Sequence, residues 1–237
     1  MVDRSTFFEA MGLGPVWTLR QQPSLVDAPA PLEDSPSQAI DLSLLRGKVK
    51  SCQACGLCKT RQQTVFADGL ENGPLMVVGE APGAEEDSSG LPFVGRAGQL
   101  LDRMLHAVGA SRARNVYIAN VLKCRPPGNR DPEPAEIEQC FPYLAQQIQA
   151  VAPQVLLLVG RFAIQTLLNT DHAVGKLRGR VHAVEVGGLS IPAVVTYHPA
   201  YLLRRPEEKA KAWDDLLLLK QQAECLRGDL PQSGIPR

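Results

Sequence analysis

The chain has 237 residues, 44% of them hydrophobic, which is enough to bury one good-sized core. Its net charge of zero argues against a strongly basic nucleic-acid-binding protein, but the charge is uneven, since residues 1–45 sum to −4 and the rest to +4. Nowhere is there a run of roughly 18 apolar residues, as a membrane helix needs, and the first residues do not form a secretory signal. We therefore expect a cytoplasmic protein without membrane contact, whose basic excess is compatible with binding DNA phosphates.

The N-terminal part of the chain differs in composition from the remainder. Residues 22–39 contain four prolines and no hydrophobic periodicity, which predicts a linker. We expect an extension and linker over 1–45, one globular domain over 46–228, and a tail over 229–237. The segment DLSLL at 41–45 faintly resembles the short peptide that binds the replication sliding clamp, but Asp41 as a helix N-cap is the favoured interpretation.

Short apolar runs alternate with helical stretches in the predicted domain. The runs predict β-strands at 75–80, 115–124, 155–160 and 193–199. The stretches predict helices at 98–109, 134–151, 160–168 and 207–226. Strands that are apolar on both faces and separated by helices indicate an α/β fold, specifically a three-layer α/β/α sandwich with a central four-stranded parallel sheet. Ligands bind at the carboxyl ends of such strands, where the turn at 79–83, Asn120 and His198 fall.

The cysteines favour a metal site because disulfides seldom persist in a reducing compartment. The six are Cys52, Cys55 and Cys58 in a C-x2-C-x2-C run, Cys124 and Cys140, and an isolated Cys225. A second close pair, as in zinc knuckles, is missing, so a 4Fe-4S cluster suits the pattern better than zinc. Spacing alone does not choose the ligands, since the N-terminal triplet is as plausible as a set that uses 124 and 140. Cys225 is interpreted as a small buried hydrophobic residue.

Three long blocks carry a family resemblance. They are GEAPGAEEDSSGLPFVGRAGQLLD at 79–102, NVLKCRPPGNRDP at 120–132 and HPAYLLR at 198–204. Together they resemble the family 4 uracil-DNA glycosylases over most of residues 46–228. The resemblance implies a DNA-repair hydrolase that flips uracil out of single- or double-stranded DNA and cleaves its N-glycosidic bond. It also implies that the 4Fe-4S cluster is held by Cys52, Cys55, Cys124 and Cys140.

The proposed reaction needs two kinds of catalytic group, because uracil leaves as an anion while the sugar becomes positively charged. By resemblance, His198 donates to the 2-carbonyl oxygen of uracil. Glu80 is suited to orient water or to stabilise the sugar. Gly79 and Gly83 bracket a sharp turn that exposes backbone amides to the base. By resemblance, Glu86 also reaches the site, although a run of charge is usually a solvated face.

Base selection is assigned to Asn120 and Phe93. The amide of Asn120 carries a donor and an acceptor that match the 4-carbonyl and ring imide of uracil, a pattern that cytosine reverses. By resemblance, the flipped base stacks on Phe93, whose alternative interpretation is ordinary core packing.

DNA contacts are predicted on two loops. Arg125 and Arg130 lie on a proline-rich loop and are candidates for phosphate contacts, as is Arg204. Leu202 or Leu203 is predicted to fill the gap left by the flipped nucleotide, the alternative being that these leucines begin the last helix and join the core.

Two other function classes share some of these sequence features. A non-catalytic iron-sulfur module attached to a polymerase or recombinase would keep the cysteines but has no need of Glu80, Asn120 and His198 together. A nucleotide-dependent enzyme would need a phosphate-binding motif, which the chain lacks. No histidine-bearing insert follows the block at 79–102, so hydrolysis is expected rather than covalent trapping of the sugar. The chain is also expected to be a monomer.

Overall fold

The computed structural model describes residues 40–223. The predicted linker, the C-terminal tail and Cys225 lie outside the described residues. Within them the helices are α1 (Leu42–Lys50), α2 (Ala84–Ser89), α3 (Arg96–Ala107), α4 (Pro134–Val151), α5 (Arg161–Leu168), α6 (Val174–Leu177), α7 (Pro199–Arg204) and α8 (Lys209–Gln222). The strands are β1 (Asp68–Gly69), β2 (Leu75–Gly79), β3 (Val116–Asn120), β4 (Val155–Val159), β5 (Val181–Val186) and β6 (Leu189–Thr196).

The strands form one six-stranded sheet in the order β1-β3-β2-β4-β6-β5. The four central strands are parallel, and they are the four that the apolar runs predicted. The short β1 and the hairpin strand β5 add an antiparallel strand at each edge. The predicted parallel sheet is therefore confirmed, with two edge strands that the apolar runs did not indicate.

Both faces of the sheet are covered by helices. Met76 and Val78 of β2 point into a core shared with α1, α4 and α5. The alternate residues Leu75 and Val77 point into a second core, which includes Leu101 of α3 and residues of α7 and α8. Successive residues of a strand face opposite sides, so strands that are buried throughout require helices on both sides. The three-layer α/β/α architecture is confirmed.

The first helix extends across residue 46, where the sequence placed the domain boundary. Asp41 caps it, and its Oδ1 accepts from the backbone N–H groups of Ser43 at 2.7 Å and Leu44 at 3.3 Å. Leu42 and Leu45 are buried in the core. These contacts favour the N-cap interpretation of DLSLL over a clamp-binding peptide. Across residues 40–223, no helix combines the length and the apolar character that a membrane span requires.

The register of the parallel strands brings their carboxyl ends to one edge. Gly79, the last residue of β2, pairs with Asn120, the last residue of β3. On the other side, Val159 of β4 pairs with Thr196 of β6. The turns that follow the four strands therefore meet at the same edge, as expected for a ligand site in a parallel sheet.

Candidate active site

A cavity of about 750 Å³ opens at this carboxyl edge. Its lining includes eight of the residues singled out in the sequence, namely Glu80, Gly83, Glu86, Phe93, Asn120, Arg130, His198 and Arg204. Residues that are up to 124 positions apart in the chain are thus brought to one pocket by the sheet register. Gly79 lies directly beneath the lining, whereas Arg125, Leu202 and Leu203 are not part of it.

Gly79 is required by close packing rather than by an unusual backbone angle. A Cβ atom at this position would lie 2.4 Å from Oδ1 of Asn120 and 2.4 Å from Cζ of Phe93. No side chain can be placed there without moving one of these two groups. The glycine therefore allows the amide and the aromatic ring to converge at the floor of the cavity.

Asn120 presents an unpaired acceptor in the cavity. Its side chain is 2% exposed, and its Oδ1 has no hydrogen-bond partner among the residues that the structure describes. Buried polar atoms are nearly always paired, because an unpaired one costs about 1–3 kcal/mol. An acceptor left free at the wall of a cavity points to a ligand that supplies the donor.

His198 is held as a neutral hydrogen-bond donor. Its Nδ1 accepts from the backbone N–H of Ala200 at 3.1 Å, which leaves the ring proton on Nε2. Burial and, to a smaller extent, the charge of Arg204 lower the pKa of His198 from 6.5 to about 4, and Glu86 opposes the shift. The ring stacks on Phe93 with centroids 5.7 Å apart and planes at 29°. At neutral pH the imidazole can donate one hydrogen bond without bringing a positive charge.

Glu80 follows β2 directly and faces the turn after β4. The backbone N–H of Phe162 donates to its Oε1 at 3.1 Å. Burial raises the pKa of Glu80, although the Phe162 amide and Arg161 pull in the opposite direction. Gly160 has φ of +95°, and a Cβ there would lie 2.5 Å from Oε1 of Glu80. Gly160 therefore makes room for the carboxylate at the cavity wall.

Glu86 ties together two loops of the site. Its Oε2 accepts from the N–H of Gly83 at 3.0 Å, and its Oε1 accepts from the N–H groups of Val94 at 3.0 Å and Gly95 at 3.1 Å. These bonds join the turn after β2 to the loop that carries Phe93. The geometry therefore favours a positioning role for Glu86 over direct chemistry.

Behind the turn after β3, five cysteines line a second, smaller pocket. Cys124 and Cys140 are buried, and the Cys124 thiol lies within electrostatic range of Cys52 and Cys55. Two donors approach the sulfur atoms: Nη1 of Arg61 lies 3.1 Å from Sγ of Cys124, and the N–H of Lys123 lies 3.3 Å from Sγ of Cys140. Such donors stabilise thiolates bound to metal.

Burial sets a condition on any metal group that these cysteines could hold. Burial raises the pKa of Cys140 to about 11, so this thiol needs compensating positive charge to become a ligand. Across residues 40–223, no three His, Cys, Asp or Glu side chains are arranged to hold a single metal ion. A four-iron cluster separates its thiolate ligands more widely than a zinc ion does. Cys58 lines the same pocket, so the geometry alone does not remove it.

Comparison with known families shows which superfamily the fold belongs to. Residues 66–217 match the model of the "Uracil DNA glycosylase superfamily". The chain belongs to this superfamily. It is 44% identical over 164 residues to the type-4 uracil-DNA glycosylase of Archaeoglobus fulgidus, covering 68% of this chain and 82% of that protein. The type-4 enzymes of Pyrobaculum aerophilum and Saccharolobus solfataricus are 39% and 37% identical, over 76% of this chain in each case and 93% and 86% of those proteins.

In this uracil-DNA glycosylase superfamily member, the arginines predicted to contact phosphates differ in their surroundings. Arg204 is exposed at the end of α7 and lines the cavity. Arg130 also lines it, but its guanidinium makes a two-pronged ion pair with Glu136, with Nη1 to Oε2 at 2.9 Å. Arg125 lies outside the lining, and its Nε donates to Oδ1 of Asn129 at 2.7 Å. Arg204 is therefore the candidate best placed to meet DNA.

The prediction of a DNA-filling leucine is corrected for one of its two candidates. The segment after His198 is a helix, α7, and Leu202 is 1% exposed within the second core. Its side chain is held by packing and is not free to enter DNA, which is the alternative that the sequence left open. Leu203 is only partly buried and keeps the candidate role.

Two cations, the partly buried Arg112 and the buried Lys123, contribute to the site, and the sequence patterns did not indicate either of them. Arg112 donates to the backbone oxygens of Pro92, at 2.7 Å, and Phe93, and also pairs with Asp68 and Asp102. It holds Phe93 at φ of +54°, a conformation that costs energy for a non-glycine residue. Lys123 is buried behind Asn120. The local sequence indicates neither role. Arg112 bonds to backbone oxygens about 20 residues away along the chain, and a lysine inside a motif is usually expected to be exposed.

Proposed function

We propose that this chain is a uracil-DNA glycosylase of base excision repair, which flips uracil out of single- or double-stranded DNA and hydrolyses the bond between base and sugar. One observation carries the proposal: a neutral histidine donor and an unpaired amide acceptor, on His198 and Asn120, line a single cavity. Uracil offers the complementary groups, two carbonyl acceptors and an N3–H donor.

Recognition of the base would rest on Asn120. Its free Oδ1 accepts from N3–H of uracil, and its Nδ2 donates to the 4-carbonyl oxygen. Cytosine presents an acceptor at N3 and an amino donor at C4. The Oδ1 acceptor of Asn120 would therefore face another acceptor, and its Nδ2 donor would face another donor. The penalty is on the order of 1–3 kcal/mol for each unpaired buried group. The ring of Phe93, stacked on His198, gives the flipped base a flat surface.

Departure of the base would be assisted by the neutral imidazole. When the bond between C1′ and N1 breaks, uracil keeps the electron pair, and negative charge spreads to its 2-carbonyl oxygen. The Nε2–H of His198 donates to that oxygen, and its strength as a donor grows as the charge develops. The ionised carboxylate of Glu80 would stabilise the positive sugar and orient the water whose oxygen bonds to C1′; the proton of that water passes to solvent or to the carboxylate.

We propose further that Cys52, Cys55, Cys124 and Cys140 hold a 4Fe-4S cluster. Their convergence on one pocket, and the Arg61 and Lys123 donors to their sulfur atoms, support this set. Bound there, the cluster would brace the segment that joins β3 to α4, since hydrolysis transfers no electrons. Cys58 would not be a ligand. A visible absorption band and four irons per chain are expected of the purified protein; Cys124→Ser should lose both, and Cys58→Ser should keep both.

The proposed setting of the enzyme is the cytoplasm, where the chain would act as a monomer on DNA. The alternative of a non-catalytic iron-sulfur module accounts for the cysteine pocket. It gives no reason for the unpaired acceptor on Asn120 or for the tautomer of His198, so we favour the enzyme.

The deciding experiment measures release of uracil from oligonucleotides. Single- and double-stranded substrates with one uracil are incubated with the full chain and treated with alkali to reveal abasic sites. Glu80→Gln should lower the rate by about a hundredfold or more, as for loss of a group that stabilises charge in the transition state. Glu85→Gln, a matched change at an exposed neighbour, should leave the rate unchanged. Absence of cleavage by the cluster-loaded wild type would refute the proposal.

A further inference from the structure

Lys123 is a lysine buried inside the protein, at 1% exposure. Its Nζ donates to the backbone oxygen of Asn120 at 2.6 Å and to Oε1 of Gln147 at 2.5 Å. A buried ammonium group is tolerated only where acceptors replace water, so these two bonds fix the position of the lysine head. One of them ends on the peptide of the residue to which base recognition is assigned.

The peptide of Asn120 lies where the parallel sheet ends. The next residue still bonds to β2, through the N–H of Val121 and the oxygen of Gly79 at 2.9 Å. The carbonyl of Asn120 instead receives the Lys123 ammonium, which reaches back over three residues. The lysine therefore closes a short loop that fixes the orientation of the Asn120 backbone, from which its side chain projects.

Gln147 anchors the lysine to the rest of the fold. Its Nε2 donates to the backbone oxygen of Phe66 and to the hydroxyl of Tyr117, both at 3.1 Å. Gln147 belongs to α4 and Tyr117 to β3, so the position of the Lys123 ammonium group is fixed relative to two rigid elements. At the other end, the backbone N–H of Lys123 donates to Sγ of Cys140. The segment 120–124 is thus fixed at both ends.

We propose that Lys123 is a positioning residue for base recognition: its ammonium group holds the Asn120 peptide so that the side-chain amide keeps the orientation that selects uracil. The inference rests on the proposed function. It assigns no chemical step to Lys123, which does not line the cavity. The lysine acts only through Asn120, and this dependence makes the inference testable by a double-mutant cycle.

The cycle compares Lys123→Met in the wild-type background and in an Asn120→Ala background, with single-turnover excision of uracil as the readout. Methionine keeps most of the length of the unbranched side chain and removes the donor. In the wild-type background the rate should fall about tenfold, as expected when one buried carbonyl loses its partner. In the Asn120→Ala background the same change should cost less than about twofold, because the residue on which the lysine acts is gone.

Two control variants separate positioning from general stability. Ile148→Ala opens a cavity next to Gln147 on α4 and lowers the melting temperature without touching Asn120, so its effect on the rate should be small and equal in both backgrounds. Lys59→Met removes an exposed lysine and should change nothing. If Lys123→Met does not fold, Gln147→Met takes its place in the cycle, with a smaller loss expected in the wild-type background only.

Equal losses in the two backgrounds would overturn the inference, as would an unchanged rate in the wild-type background. Failure of the proposed function looks different, because the wild-type protein itself would then release no uracil. Loss of visible absorption in Lys123→Met would show that the change acts through the cysteine site instead, and would also overturn the assignment to Asn120.

Discussion

At the scale of single residues, the site depends on keeping His198 uncharged. A histidine charged in the free enzyme would place a cation beside Arg204, and the Nδ1 of His198 is already committed to the Ala200 amide. Stacking on Phe93 and burial remove water from the ring. In the proposed reaction the ring is therefore a donor that stays neutral at the pH of the cell and whose hydrogen bond strengthens as negative charge develops on the base.

This arrangement predicts a pH dependence of stability. The pKa of His198 is about 4 when folded against 6.5 in the unfolded reference, so only the unfolded chain takes up the proton between these values. Folding stability should therefore fall as the pH drops from about 6.5 to about 4, by up to about 3 kcal/mol from this group alone.

Urea unfolding of the wild type and of His198→Gln at several pH values measures this contribution. The difference between the two proteins cancels the other titrating groups, including Glu80, whose raised pKa acts in the opposite direction. The wild type should lose stability relative to the variant only below about pH 6.5. A difference that does not change with pH would contradict the assigned protonation state.

At the scale of elements, the strand-end turns create the cavity by close approach of backbone and side chains. Gly79→Ala tests this directly. The added Cβ would meet Asn120 Oδ1 and Phe93 Cζ at 2.4 Å, so one of the two must move. We expect kcat/KM for uracil excision to fall about 5- to 150-fold, corresponding to about 1–3 kcal/mol of overpacking.

The matched control for this prediction is Gly47→Ala in α1. A Cβ there meets nothing within 4 Å, and alanine is the better helix former, so stability should rise by up to about 1 kcal/mol with activity unchanged. Circular dichroism and the excision rate together separate the two outcomes. If Gly79→Ala kept full activity, Asn120 and Phe93 would not need the positions described above.

The elements also explain what could be predicted from the sequence. The four parallel strands were predictable because each is a run of residues buried on both faces. The β5–β6 hairpin was missed, although Gly187 and Gly188, at φ of +58° and +80°, form the two-residue turn that favours a hairpin. Leu202 shows the limit: its burial is decided by the packing of α7 on α3 within the second core, which local sequence does not reveal.

At the scale of the whole molecule, the cysteine pocket and the cavity share one stretch of chain. Residues 120–124 run from Asn120 at the cavity to Cys124 at the cysteine pocket, and Lys123 hydrogen-bonds to one residue of each site, Asn120 and Cys140. The glycine-lined turns and the aromatic floor belong to the sheet edge. This layout connects the cysteine pocket through the backbone to Asn120, the residue proposed for base recognition.

The distribution of charge around the cavity predicts how DNA binding depends on salt. Although the net charge of the chain is zero, Arg204 is exposed at the rim of the cavity, and Arg130 is largely neutralised by Glu136. Each phosphate contact releases counterions, so binding should weaken with salt in proportion to the number of contacts. Arg204→Gln should reduce the slope of log K against log salt by about 1, and Arg130→Gln by much less.

Fluorescence anisotropy with an abasic-site oligonucleotide measures both slopes, with Arg103→Gln, an exposed arginine outside the cavity, as the reference. Equal slopes for Arg204→Gln and Arg103→Gln would remove Arg204 from the DNA-binding surface and leave the phosphates to residues away from the cavity.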